Sequence, residues 1–389
     1  MVRQETLLVN NDHRYKQLDS LRGIAALTVF IGHSIGTIIN LDLLNKITPT
    51  PLSIFYNGYA AVMFFFVLSG FVLSLPFMNN ERPLSLTAFY TKRIFRIYPA
   101  FIVAILLSIV LKELVYDKHA MSSSVLWFKQ YWAWDWNQTN FKEILRTFLL
   151  IGPGFKTQLI DPPVWSLVVE MKMSILLPFL ILMVSRCSVV INIGLFLVIS
   201  YVAYRYTGLQ VSVFYLGVLL AKYQLYLRNK LKTWPVIVLI LIILISLLLY
   251  NAGLEFLGFH SKPYYIIFSN YMPAIGSCAL IITVLTSKRL SAQFEHKTGV
   301  FLGSISYSFY LMHFPVLIAV TTLMINRFAY SAQIAVGLAF LLTIVIAWLM
   351  MLFIERPFQR MAARLVKKYR ILNACNIKAT GGLKSAQHI

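Results

Sequence analysis

Ten long apolar runs, separated by short polar segments, set the pattern of this sequence. A membrane-crossing helix needs about 20 mainly apolar residues, and runs of that order occupy approximately 21–40, 57–77, 98–116, 164–184, 187–204, 209–226, 235–250, 264–286, 301–325 and 332–354. The pattern predicts an all-α, polytopic membrane protein built as a bundle of about ten transmembrane helices. Residues 1–20 are polar and form a short N-terminal segment. The first apolar run that follows is already as long as a span, so it is expected to be retained rather than cleaved as a signal peptide. Residues 21–355 then make the membrane domain, and 356–389 a basic tail.

Composition strengthens this reading. Of 389 residues 59% are apolar and only 13% charged, about half the charged fraction of a soluble domain. That excludes a soluble enzyme, a disulfide scaffold and a disordered chain. The formal charge of +21 would suggest nucleic acid in a soluble protein. Here the basic residues cluster between apolar runs, so the expected partner is anionic lipid and no nucleic acid. Most Lys and Arg fall on the cytoplasmic side if the N-terminus is inside, and the positive-inside rule then predicts that both termini are cytoplasmic. The long connection at 117–163 carries Trp127, Trp132, Trp134 and Trp136 and is expected on the outer interface. The tail places Arg356, Arg360, Arg364, Lys367 and Lys368 at helical spacing, as a helix lying on anionic lipid would. Cys187, Cys278 and Cys375 have no metal-ligand spacing, and no metal is expected.

Candidate chemistry comes from polar residues at membrane depth, which are costly there unless paired or facing a wet cavity. Arg22 and His33 are eleven residues apart, hence about 20° from one helix face and about 16 Å apart along the axis. That face joins a cation at the inner interface to a histidine near mid-depth. Glu170 follows the helix start Asp161-Pro162-Pro163 and, counted down from the outer interface, is expected to meet His33, raising its basicity as a general base needs. Ser306, Tyr310 and His313 form one polar stripe. Arg93 and Arg96 stand one turn apart before a span and suit bidentate binding of an anion. Each has a plainer reading: a structural histidine, a Glu170–Lys172 pair, polar contacts between helices, or positive-inside anchors.

Several stretches together resemble the membrane-integral acyltransferase family 3, bacterial O-acyltransferases that modify cell-surface polysaccharides. They are LDSLRGIAALTVFIGH with its Arg-x(10)-His spacing, FFFVLSGFVLS at 64–74, KRIFRIYP at 92–99, PPVWSLVVE at 162–170, GSISYSFYLMH at 303–313 and FIERPF at 353–358. The resemblance implies a ten-helix bundle in the bacterial inner membrane. It implies an acyl group, most simply acetyl, taken from cytoplasmic acyl-CoA as a donor substrate, with no permanently bound cofactor, and delivered to a hydroxyl of a cell-surface or lipid-linked saccharide such as a lipopolysaccharide. It also implies that His33 is essential with Arg22 as its partner, and that Arg93, Arg96 and Glu170 are functional. Glu170 is expected to be catalytic, and Ser166, Tyr310 and His313 to complete the substrate-binding set. Many members add an esterase-like domain, and none is expected within these 389 residues. The competing class is a saccharide transporter or flippase with His33 and Glu170 as a proton relay. Against it, no pair of Gly/Pro-broken helices occupies matching positions in two halves.

Overall fold

The computed structural model describes residues 15–78, 84–115, 141–150, 160–252 and 264–369, and every regular element among them is helical. The Trp-rich stretch lies outside the described residues. The long helices are α1 (Lys16–Ile38), α3 (Gly58–Met78), α4 (Leu86–Val115), α6 (Trp165–Arg186), α7 (Val189–Val202), α8 (Gln210–Leu231), α9 (Val236–Asn251), α10 (Tyr264–Thr286), α12 (Lys297–Thr321) and α13 (Ala332–Met350), with short helices α2 (Leu41–Ile47), α5 (Phe141–Leu149) and α11 (Lys288–Phe294) between them. The chain is an all-α polytopic membrane protein. Eight of its helical segments are long and apolar enough to cross a membrane. The other two expected spans are also helices. One, α8, carries Gln210, Lys222 and Gln224 and is less apolar, and α9 has 16 residues, about 24 Å of rise.

Apolar side chains that would be anomalous on a soluble surface stand outward here, among them Val190, Ile193, Leu197, Ile237, Leu241 and Leu341. In lipid, outward apolar residues are not what drives helices together; close packing and polar contacts are. Glycine makes that packing possible at two crossings. A Cβ on Gly303 of α12 would lie 2.1 Å from the Asp19 carbonyl oxygen of α1, and one on Gly70 of α3 would lie 2.2 Å from the Phe214 carbonyl oxygen of α8. Around these contacts α12 runs through the middle of the bundle, with Phe309, Leu311, Met312 and His313 almost fully buried, and packs against α1, α4 and α13.

Two boundaries differ from the sequence pattern. Helix α4 begins at Leu86, twelve residues before the expected span, and runs through Pro99. Lys92, Arg93 and Arg96 are therefore on a helix continuous with the span, and their one-turn spacing is real. At the other end, α13 continues through a wide turn at Met351–Glu355 into helix as far as Tyr369. The first part of the basic tail is thus an extension of the last span, with Glu355, Ala362 and Val366 buried against the bundle.

Candidate active site

A cavity of about 530 Å³ opens between α1, α3, α4, α6, α12 and the extension of α13, within the usual size range of a small-molecule site. Its charged lining is Asp19, Arg22, Arg93, Arg96, Glu170, Glu355 and Arg356. These charges are not equivalent. Arg22 Nη1 donates to Asp19 Oδ1 at 2.9 Å one turn away. Arg93 is buried, and its guanidinium donates to Glu170 Oε1 at 2.7 Å and to Ser174 Oγ at 2.7 and 3.0 Å. Glu355 accepts from Ser308 Oγ at 2.5 Å and is acted on electrostatically by Arg96 and Arg22. Among the described residues Arg96 and Arg356 make no side-chain hydrogen bond, so they are the cations left to an incoming anion.

Hydroxyl groups form the neutral wall. Ser166 Oγ and Tyr310 OH lie 2.8 Å apart, and both are within hydrogen-bond distance of the Pro163 carbonyl oxygen, at 3.0 and 3.2 Å; with one hydrogen apiece, one hydroxyl donates to that carbonyl and the other to its neighbour. Tyr307 OH donates to the Ile97 carbonyl oxygen at 2.8 Å. Three residues beyond Tyr310 on α12 stands His313, with no exposed surface. Its Nδ1 lies 2.6 Å from the Tyr310 carbonyl oxygen, and its Nε2 lies 2.9 Å from Nδ1 of His33. The two imidazoles stack, with centroids 5.1 Å apart and planes 20° apart, and Phe314 meets the His33 ring edge-on.

Hydrogen-bond logic assigns the protons of this pair. A carbonyl oxygen only accepts, so Nδ1 of His313 carries hydrogen. When His313 is neutral its Nε2 must then accept, and Nδ1 of His33 is the donor. The lone pair of His33 is thereby placed on Nε2. A base whose tautomer is fixed by its other nitrogen is the arrangement general-base catalysis uses.

The expected Glu170–His33 pair is replaced by two others, Glu170 with Arg93 and His33 with His313. The depth estimate did not fix the pairing. It took Asp161 as a residue at the membrane boundary, yet Asp161 has no exposed surface and Pro163 and Val164 are buried beside it. Depth along one helix does not say which neighbour a side chain faces, and the Glu170 side chain faces Arg93 of α4. The polar stripe on α12 is found as expected, with Ser306, Tyr310 and His313 all buried. Sequence reasoning passed over Glu355, although FIERPF contains it, and took Asp161 only as a helix start. Its side chain makes no capping bond, and both carboxylate oxygens are buried with no hydrogen-bond partner among the described residues. Also among the described residues, no group of three His, Cys, Asp or Glu stands close enough to hold a metal.

With this geometry in hand, comparison with known proteins settles the family. The Acyl_transf_3 family model, described as an acyltransferase domain, matches residues 15–352. The chain belongs to that family. Among curated proteins it is similar to "Putative O-acetyltransferase SACOL0978" of Staphylococcus aureus (strain COL), 26% identical over 392 residues that cover 88% of this chain and 57% of the relative. It is equally similar to "Putative peptidoglycan O-acetyltransferase YrhL" of Bacillus subtilis (strain 168), 26% identical over 384 residues, 90% of this chain and 56% of the relative. The chain thus spans little more than half the length of these relatives. No solved structure matches it significantly. Membership of an acyltransferase family favours an enzyme over the transporter reading.

Proposed function

We propose that this acyltransferase-family protein is an O-acetyltransferase of the bacterial inner membrane, with both termini cytoplasmic, which moves an acetyl group from acetyl-CoA to a saccharide hydroxyl of the cell envelope. The observation that carries the proposal is the nearness of two features, a cavity shared by six helical segments and a histidine pair, outside its lining, that joins α1 to α12. A cavity bearing Arg22, Arg93, Arg96 and Arg356 reaches Tyr310, and one turn beyond Tyr310 is a histidine pair with its lone pair on His33 Nε2. Coenzyme A has phosphates at one end and a thioester at the tip of a long arm. In this reading Arg96 and Arg356 take phosphates at the rim, and the thioester enters between the helices, away from bulk water.

The reaction needs one base and one oxyanion site. The acceptor hydroxyl attacks the thioester carbonyl carbon while His33 Nε2 takes its proton. The tetrahedral oxyanion is stabilised by a donor at the cavity wall, a role the Tyr310 or Ser166 hydroxyl takes by turning from its resting partner. Collapse expels the coenzyme A thiolate, and His33 returns the proton to sulfur, giving the O-acetyl ester and free thiol. His313 touches no reacting atom in this scheme and is a positioning residue. Glu170 serves by holding Arg93, and Arg22 by its bond to Asp19 at the cavity mouth. The printed name of one relative, a putative peptidoglycan O-acetyltransferase, supports a glycan acceptor.

The test is direct. Purified chain in detergent, given [¹⁴C]acetyl-CoA and peptidoglycan glycan fragments, should move label onto glycan and release free thiol. The result that overturns the proposal is wild-type protein that leaves the thioester intact with every envelope glycan offered.

A further inference from the structure

The wall at the start of α6 has a second polar feature that the donor cavity does not use. Asp161 is fully buried, and both carboxylate oxygens lack a partner among the described residues. Four residues on, half-buried Trp165 lies parallel to Tyr59 of α3, with planes 15° apart and centroids 6.4 Å apart, and Phe66 meets Trp165 edge-on. The Tyr59 hydroxyl donates to Asn270 Oδ1 at 3.1 Å and accepts from Gln210 Nε2 at 3.3 Å. Phe66 and Ser166 line the donor cavity, so Trp165 stands in the partition between that cavity and this aromatic and amide cluster.

We propose that Asp161 binds a hydroxyl of the acceptor, and that Tyr59, exposed and backed by Trp165, is the face on which the acceptor's sugar ring rests. The proposal rests on the O-acetyltransferase reading above and adds the acceptor side of that site. A carboxyl presents two oxygens to a partner, and when protonated it offers one donor and one acceptor. A hydroxyl has the same two functions and satisfies both. A cation is a poorer fit, since among the described residues no group of three His, Cys, Asp or Glu stands close enough to hold one. The C–H face of a pyranose is apolar and suits a phenol face, while its rim hydroxyls suit the amide of Gln210, which reaches the Tyr59 hydroxyl. Leaving a buried polar group without a partner lowers stability, and such a cost is commonly retained where function needs the group.

A functional and a structural Asp161 move stability in opposite directions, and that decides the experiment. Asp161→Leu, Asp161→Asn and Tyr59→Leu are made in the full chain, purified in detergent, and assayed for thermal midpoint, acetyl-CoA affinity and acetyl transfer to peptidoglycan glycan fragments. Asp161→Leu should melt no lower than wild type and keep its acetyl-CoA affinity, while KM for the glycan rises roughly tenfold or more, as for one lost hydrogen bond. Asp161→Asn, which keeps a donor and an acceptor, should lose less, and Tyr59→Leu should raise the glycan KM with donor affinity unchanged. A lower melting point for Asp161→Leu with unchanged glycan KM overturns the proposal and makes Asp161 structural. Unchanged glycan KM in all three variants overturns it while wild-type turnover leaves the O-acetyltransferase reading standing. Wild-type protein that never cleaves acetyl-CoA removes that reading and this proposal with it.

Discussion

Nδ1 of His33 and Nε2 of His313 lie 2.9 Å apart, joining α1 to α12 across 280 residues of sequence. The bond makes His313 the group that sets the His33 tautomer, so the two histidines should fail differently. Replacing His33 by Ala removes the base and should lower kcat by roughly 10²–10⁴. Replacing His313 by Leu should cost less, and His313→Gln, whose amide oxygen can still accept from His33 Nδ1, should recover part of that loss. Steady-state acetyl transfer with melting controls checks the order. Equal activity of His313→Leu and wild type would remove His313 from the mechanism.

Arg93 and Glu170 form the ion pair that locks α4 to α6, at 2.7 Å, with side chains 7% and 24% exposed. Removing one partner of a fully buried pair costs about 3–5 kcal/mol, and partial exposure of Glu170 reduces that to about 2–3 kcal/mol here. Glu170→Leu and Arg93→Met should each lower the thermal midpoint in detergent. The double replacement should recover most of it, because no unpaired charge then remains. A double variant that melts below both singles would show that the pair is not what these residues contribute.

The helices were legible because period and run length are local properties, and α10 falls on the span read from its sequence. The start of α4 was not, because Pro99 and the three cations before it read as a loop, while in the bundle a proline inside a helix is tolerated once neighbouring helices supply contacts. The polar residues were legible as a set, and His33, Arg93, Glu170, Ser166, Tyr310 and His313 are all found at helix contacts or in the cavity wall. Their pairing was not legible. Depth along one helix is a single coordinate. Rotation decides which faces meet, and it is set by close approaches such as Gly303 on Asp19, which sequence spacing does not encode.

Arg96 differs from Arg93 in having no side-chain hydrogen bond among the described residues, although it stands one turn away on the same helix. Changing Arg96 to Ala should therefore leave the melting point near wild type and weaken acetyl-CoA binding roughly 10- to 100-fold, as loss of a charged hydrogen bond would. Arg96→Lys should recover only part, lacking the planar fork. Binding measured by isothermal calorimetry should also weaken with salt in wild type more than in Arg96→Ala. Unaltered acetyl-CoA affinity in Arg96→Ala would assign the phosphates elsewhere in the cavity.

Gly70 tests whether close approach of α3 and α8 holds the bundle together. A methyl group there would lie 2.2 Å from the Phe214 carbonyl oxygen and 3.2 Å from Gly217 Cα, and both contacts are backbone, so no side chain can swing away. The helices must separate, which at about 1–3 kcal/mol for an overpacked contact should lower the melting point of Gly70→Ala by several degrees. Gly194 supplies the control. It is also helical, on α7, but a Cβ at that position meets nothing within 4 Å, so Gly194→Ala should melt at or slightly above wild type, since alanine favours helix over glycine. Matching losses in the two variants would mean that helix propensity or detergent contact, rather than the α3–α8 crossing, sets the response.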